Sequence, residues 1–318
     1  MTLKAIYDFL VKEGMNADPR GKEAVNKSLL RIKKYYQRLD KKEQGEFDRE
    51  RLANPYSDTR ILFGQPEQKV KAILVGVDID PGELLLADRL NQKGREIDLV
   101  MSHHPQGVAL AGLDEVMDIH AEIFKNLGVP ISAAESLMAE RIAEVKRKLM
   151  PTNHMRAVDV ARLLKLAFMC CHTAADNHVA SYLQRLMDKE RPDILGDVLD
   201  ILKALPEYRH AVQEKAGPRI IAGDAKRQAG KLFVDMTGGT EGSKDIFQRL
   251  TQAGIGTILA MHLSEEHFRK VKAEHINVII AGHIASDNLG LNLLLDKLEK
   301  REKFNIIECS GFKRVKRK

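Results

Sequence analysis

No stretch of this chain approaches the ~18 consecutive apolar residues that a membrane-spanning helix needs. The first fifteen residues carry Lys4, Asp8, Lys12 and Glu13 and contain no apolar core of the signal-peptide kind. Both absences make the cytoplasm the expected location and exclude a membrane partner. Cysteine is scarce, at three in 318 residues, with no CxxC spacing and no paired framework. Cys170 and Cys171 are adjacent and Cys309 stands alone, so all three read as small buried hydrophobes. Zinc-finger spacing, an RNP-like run and basic residues interleaved with aromatics are also missing. The net charge is +6, and Lys313, Arg314, Lys316, Arg317 and Lys318 crowd the C-terminus. Without those recognition patterns, such a tail reads as a solvated end, and nucleic acid is not an expected partner. No repeat of 20 to 50 residues marks a solenoid.

What is present is ordinary soluble material: 44% apolar and 30% charged residues, enough to bury a sizeable core. The length suits two domains or one large α/β unit. Leu3, Ile6 and Leu10 recur at helical spacing, and Val25, Leu29, Ile32, Tyr36 and Leu39 mark a second helical face. "NPYSDTRILFGQPEQ" then reads as Pro- and Gly-punctuated chain. From residue 69 short apolar runs alternate with amphipathic segments. "VKAILVGVDI", "IDLVMS", "LAFMCC", "RIIAG", "KLFVDMT", "GTILAM", "NVIIAG" and "FNIIEC" are the expected strands. Helices are expected between them, which argues for an α/β fold with parallel or mixed sheets.

Four of these strands run straight into histidine. "IDLVMS" meets His103 and His104, "LAFMCC" meets His172, "GTILAM" meets His262 and "NVIIAG" meets His283. Functional residues of α/β sheets gather beyond the carboxyl ends of strands, where loops converge on one crevice. Three of the strand ends repeat a pattern, with an acid four residues after the histidine: Asp176 in "HTAAD", Glu266 in "HLSEE" and Asp287 in "HIASD". In the first turn of a helix this spacing puts both side chains on one side of the entrance, where the helix dipole favours a carboxylate. Neutral imidazole with carboxylate suits a borderline divalent ion such as Zn, Fe, Mn or Co. Each element alone has a plain reading: a strand-end His is often just hydrogen-bonded, and an early helical Asp is usually a cap. Their number favours metal binding.

"DLVMSHHPQG", "HTAAD" and "INVIIAGHIASDNLGLNLLLDKL" together resemble the three signature segments of the NGG-one interacting factor three family. That family is also known as GTP cyclohydrolase I type 2-like and includes the bacterial YbgI-type proteins. The likeness runs with gaps from Asp58 to Phe312, and "VKAILVGVDID" and "LFVDMTGGTEGS" fit its order. It implies a two-domain mixed-sheet α/β fold with helices packed on the sheets, a homo-oligomer, often a toroidal hexamer, and two divalent ions per subunit. Carried over, the metal ligands are His103, His104, Asp176, His283 and Asp287, with His172 as the catalytic or supporting residue beside them. His262 and Glu266 are not carried over. The family usually has glutamate where this chain has Asp287, one methylene shorter and so expected to hold one ion rather than bridge two. The implied division is a helical extension over 1–68, a metal-site domain over 69–185 and 275–318, and a second α/β domain over 186–274. The implied activity is metal-dependent hydrolysis of a small nucleotide-like or phosphorylated substrate, with purine ring opening as one form. The alternative is a metal-binding adaptor without turnover.

"VDMTGGTEGSKDIF" reads as a strand, a glycine-rich turn and a helix start whose amides could meet an anion. It lacks the GxxxxGK[ST] order of a Walker loop. The plainer reading is a tight connection that needs Gly238, Gly239 and Gly242 for backbone reasons.

Overall fold

The computed structural model describes residues 1–317. Nine strands follow in chain order: β1 Thr59–Phe63, β2 Ala72–Gly76, β3 Leu99–Ser102, β4 Ala167–Cys171, β5 Arg219–Ala222, β6 Lys231–Asp235, β7 Ile255–Ala260, β8 Asn277–Ile280 and β9 Asn305–Cys309. Eight match the expected runs, with β7 starting one residue ahead of its run. The exception, β1, lies inside the stretch read as punctuation. Its five residues are held there by antiparallel pairing with β4, a contact invisible to local pattern.

The strands form two mixed sheets. One has the order β1-β4-β3-β2-β9 and the other β5-β8-β7-β6. In the first, β4, β3, β2 and β9 are parallel and only β1 is reversed. In the second, β6, β7 and β8 are parallel and only β5 is reversed. Residues 275–318 therefore contribute β8 to one sheet and β9 to the other.

Both faces of the first sheet are buried, which is why β2, β3 and β4 read as continuous apolar runs. Side chains alternate between two cores as the two-residue period requires. Ile73, Val75, Met101 and Met169 join the larger core with Leu3, Ile6 and Leu10 of the helix Leu3–Ala17. Leu74, Val100 and Phe168 face the helices Pro81–Gln92 and Arg156–Leu164 on the other side. The N-terminal helix is thus part of the main core. It starts on a Thr2 cap and presents Leu3, Ile6, Tyr7, Leu10 and Val11 inward. The second helix, Lys22–Tyr36, buries only Val25 and Leu29. In the second sheet Phe233, Ile258 and Val278 face the larger core, while Val234, Leu259 and Ile279 pack into a core of their own. Two helices, Leu195–Ala204 and Pro206–Gln213, fill a stretch for which the sequence suggested no element.

Among the described residues no helix is long and apolar enough to cross a membrane. The C-terminal arginines are used internally: Arg314 pairs with Asp296 and Glu299, and Arg317 meets both oxygens of Glu207 at 2.7 and 2.8 Å. They strap the end of the chain across two helices. Lys318 lies outside the described residues.

Candidate metal centre

Parallel pairing points the carboxyl ends of β2, β3 and β4 the same way, and the ends of β6, β7 and β8 converge on the same cleft. The five residues expected as ligands come together there. His103 and His104 follow β3, where the chain breaks from the sheet: both backbone amides donate to the Val77 carbonyl, and the Ser102 hydroxyl donates to the His104 carbonyl at 2.6 Å. This bend lets adjacent residues present their rings to one place, with centroids 5.3 Å apart.

Asp176 lies in the first turn of the helix Thr173–Glu190, and Asp287 one turn into the helix His283–Glu299. These helices touch through Gly290, where a Cβ would sit 2.6 Å from the Ala175 carbonyl oxygen. Neither helix has a side-chain cap. Asp287 is fully buried, yet neither of its oxygens has a hydrogen-bond donor. It is not a capping residue.

The distances sort the donors into two groups. His103 Nε2 stands 3.3 Å from Asp176 Oδ1 and 3.4 Å from Asp287 Oδ1. His104 Nε2 stands 3.6 Å from Asp287 Oδ2 and 3.4 Å from His283 Nε2, and His283 Nε2 is 3.7 Å from the same Oδ2. Two donors each ~2.1 Å from one ion at a tetrahedral angle would lie ~3.4 Å apart. Both groups have that spacing, and a third combination joins His103, His104 and His172. Short as its side chain is, Asp287 turns one carboxylate oxygen toward each group, because the close helix contact brings it in.

Three of the rings, those of His103, His104 and His172, are held by an acceptor at Nδ1. His103 Nδ1 lies 3.1 Å from the Cys171 carbonyl, His104 Nδ1 2.7 Å from Asp78 and His172 Nδ1 2.9 Å from Asp58. Carbonyl and carboxylate oxygens only accept, so Nδ1 carries the hydrogen and the lone pair of the neutral ring lies on Nε2. The buried atoms left without hydrogen-bond partners include His103 Nε2, Asp176 Oδ1 and both Asp287 oxygens. Buried polar atoms rarely stand alone. Three of them, His103 Nε2, Asp176 Oδ1 and Asp287 Oδ1, face one another at coordination spacing and fit a divalent cation.

The electrostatics agree. Burial opposes a charge on His103, but Asp287 and Asp176 outweigh it and raise its pKa well above the usual imidazole value, so the site draws positive charge. Burial, joined by the neighbouring histidines, lowers His104 and His283. Burial works against ionised Asp287, and His103 and the other rings outweigh it to keep the carboxyl below its usual range.

His172 sits beside both groups, its Nε2 3.7 Å from Asp176 Oδ2. Its partner Asp58 was missed in the sequence. Asp58 also accepts from the Thr173 hydroxyl at 2.6 Å and reaches the site only because reversed β1 sets Thr59 against Cys171. Asp78 was missed too, although an acid two residues beyond β2 follows the same strand-end logic. Beyond the cluster opens a cleft lined by His172, Asp176, His283, Asp287, His262 and the 237–243 loop. The glycines of that loop serve the backbone: Gly238 has φ +95°, and a Cβ there would fall 2.5 Å from His120 Nε2. The following helix starts only at Phe247 and has six residues, so the expected helix start at the glycine turn is absent.

The chain is similar to a solved NIF3 superfamily protein from Sphaerobacter thermophilus: 29% identity, 80% of this chain and 91% of that one covered, TM-score 0.71. In fold, the chain is similar to NIF3-superfamily proteins. Reduced HcgD from Methanocaldococcus jannaschii is similar at 15% identity, covering 78% and 87%, with TM-score 0.49. The protein ybgI, of unknown function, is similar at 12%, covering 80% and 90%, with TM-score 0.45. No protein-family model and no curated protein matches the chain. The NIF3-like fold with its His/Asp groups is the architecture that the sequence motifs implied.

Proposed function

We propose that this NIF3-like chain is a metal-dependent hydrolase of a small nucleotide-like or phosphorylated substrate. In this reading His103, Asp176 and Asp287 hold one divalent ion, and His104, His283 and Asp287 hold a second. The observation that carries it is Asp287, which turns one buried, unpartnered oxygen to each group. The mixed nitrogen and oxygen donors suit Zn, Fe, Mn or Co. Ions bound there supply Lewis acidity, polarising the substrate and making water a stronger nucleophile near neutral pH.

The chain's own residues do the rest. Asp58 holds His172 with its proton on Nδ1, leaving Nε2 to take a proton from attacking water and return it to the leaving atom. Apolar walls at Phe124, Ile246 and Phe247 limit water in the cleft. Opening of a purine imidazole ring is one reaction of this class: one water opens the ring to a formamide, and a second cleaves the remaining C–N bond and releases formate.

The test is a panel of nucleotides and phosphoesters, GTP included with formate detection, offered to protein loaded with Zn, Mn, Fe or Co. Turnover that depends on metal and is lost in Asp176→Ala supports the hydrolase. No turnover on any member with any ion sinks it and favours a metal-binding adaptor, a role that the deep burial of His103, Asp176 and Asp287 also suits.

A homo-oligomer, a hexamer by family resemblance, belongs to the same proposal and is checked by light scattering on the purified chain. So does a cytoplasmic location, checked by cell fractionation.

A further inference from the structure

Two motifs are not used by the cluster: the strand-end His262 of "HLSEE" and the glycine-rich "TGGTEGS". In the structure they meet. His262 does not pair with Glu266, which instead binds Lys244 at 2.7 Å on the surface. Its partner is Glu241 from the glycine-rich loop, 3.1 Å from His262 Nδ1. Glu241 is itself fixed. Its Oε1 accepts from the Ser264 amide at 2.7 Å, its Oε2 lies 3.4 Å from His267 Nδ1, and its carbonyl accepts from Arg141 at 3.1 Å. The loop behind it is pinned by His120, whose Nε2 stands 3.2 Å from the Gly238 carbonyl and 3.0 Å from that of Thr240.

The carboxylate only accepts, so His262 carries its hydrogen on Nδ1 and leaves Nε2 free. That nitrogen has no protein partner among the described residues. The ring packs on His283, centroids 4.8 Å apart, and lines the same cleft as His172, Asp176 and Asp287. The side chain is 46% exposed, against 9% for His172. It belongs to none of the three groups with metal-ligand spacing. Two carboxylate–imidazole pairs therefore border one cleft: Asp58–His172 from the first sheet and Glu241–His262 from the second.

We propose that His262, positioned by Glu241, is a substrate-contacting residue that hydrogen-bonds through Nε2 to a nucleotide or phosphoester seated in the cleft. This rests on the hydrolase reading and adds the residue that holds the substrate on the side of the second sheet. A rigid, pre-oriented imidazole fixes the reacting group at little entropic cost. An exposed ion pair with no such role would leave kinetics unchanged on replacement.

The experiment compares Mn-loaded wild type, His262→Ala, His262→Gln and Glu241→Gln. Three quantities are read: bound metal per chain, kcat and KM on the best substrate of the panel, and affinity for GMP by calorimetry. His262→Ala is expected to keep its metal and melting temperature while kcat/KM falls about 10- to 100-fold, the usual cost of losing one hydrogen bond to a charged group. His262→Gln should recover part of that loss, because its amide reaches toward the same position, and Glu241→Gln should lose several-fold. A His262→Ala protein within twofold of wild type in both kcat/KM and GMP affinity overturns the proposal and leaves the hydrolase standing. Loss of metal from His262→Ala overturns it in another way, making His262 a ligand. A wild type that neither turns over the panel nor binds GMP removes the hydrolase and this contact together.

Discussion

Asp287 is the residue on which the two-ion arrangement turns, and its replacement gives a graded outcome. An ion that binds only the folded chain, present at 100 times its Kd, stabilises by about 2.7 kcal/mol. Unfolding entropy near ~2.1 cal/mol/K per residue means that 1 kcal/mol shifts Tm by about 1.5 °C in a chain of this length. Each ion should then raise Tm by about 4 °C, and two by about 8 °C. His283 faces only the group containing His104, and Asp176 only the group containing His103. His283→Ala and Asp176→Asn should each retain about half of the metal-induced rise. Asp287→Ala removes an oxygen from both groups and should abolish it. The assay is thermal unfolding after chelation, with and without added Mn or Zn, beside metal content measured by mass spectrometry. An Asp287→Ala protein that keeps half or more of the rise refutes the bridging geometry.

Gly290→Ala should destabilise by about 1–3 kcal/mol and weaken metal binding, since its methyl would strike the Ala175 carbonyl and part the two helices that carry Asp176 and Asp287; denaturant unfolding and metal titration check it. Burial opposes ionisation of Glu241, but His262 and His267 outweigh it and take its pKa down to about 2. A carboxyl lowered on folding stabilises above its unfolded value and loses that as pH falls toward the folded one. The stability gap between wild type and Glu241→Gln should be full between about pH 5 and the raised pKa of His262, narrow above that as the imidazole loses its charge, and close toward pH 2, with about 3 kcal/mol as its upper bound; a gap unchanged by pH contradicts the pairing. Asp58→Asn should lower turnover while leaving metal content unchanged, because Asp58 holds His172, which is in neither of the two groups proposed to carry the ions. Burial takes the Cys170 thiol to about 12 and holds Cys171 well above the usual thiol value, whereas Cys309 is part-exposed. A thiol reagent should label Cys309 first and the other two only after unfolding; early labelling of Cys170 would contradict the packing around β4.

Much of this protein could be read directly from the chain. Buried parallel strands are apolar runs, and an imidazole placed just after such a run lands at the mouth of a crevice. For that reason eight strands, the five proposed ligands and His172 were all visible. The i, i+4 acids were legible because helical spacing is local. β1 was not, since its five residues form a strand only against β4, and Asp58 was lost with it. Glu241 was hidden in the same way, because the local pattern offered His262 the wrong acid, Glu266, while the real partner arrives from a loop 21 residues earlier. β8 and β9, close in sequence, go to different sheets for a similar reason: the apolar run says that a strand forms, and only pairing says beside which neighbour. The reach of Asp287 was also settled in three dimensions. Sequence set the length of its side chain, but Gly290 let two helices approach until that short side chain could face both groups. Local chemistry chose the residues of this site, and long-range packing chose which of them meet.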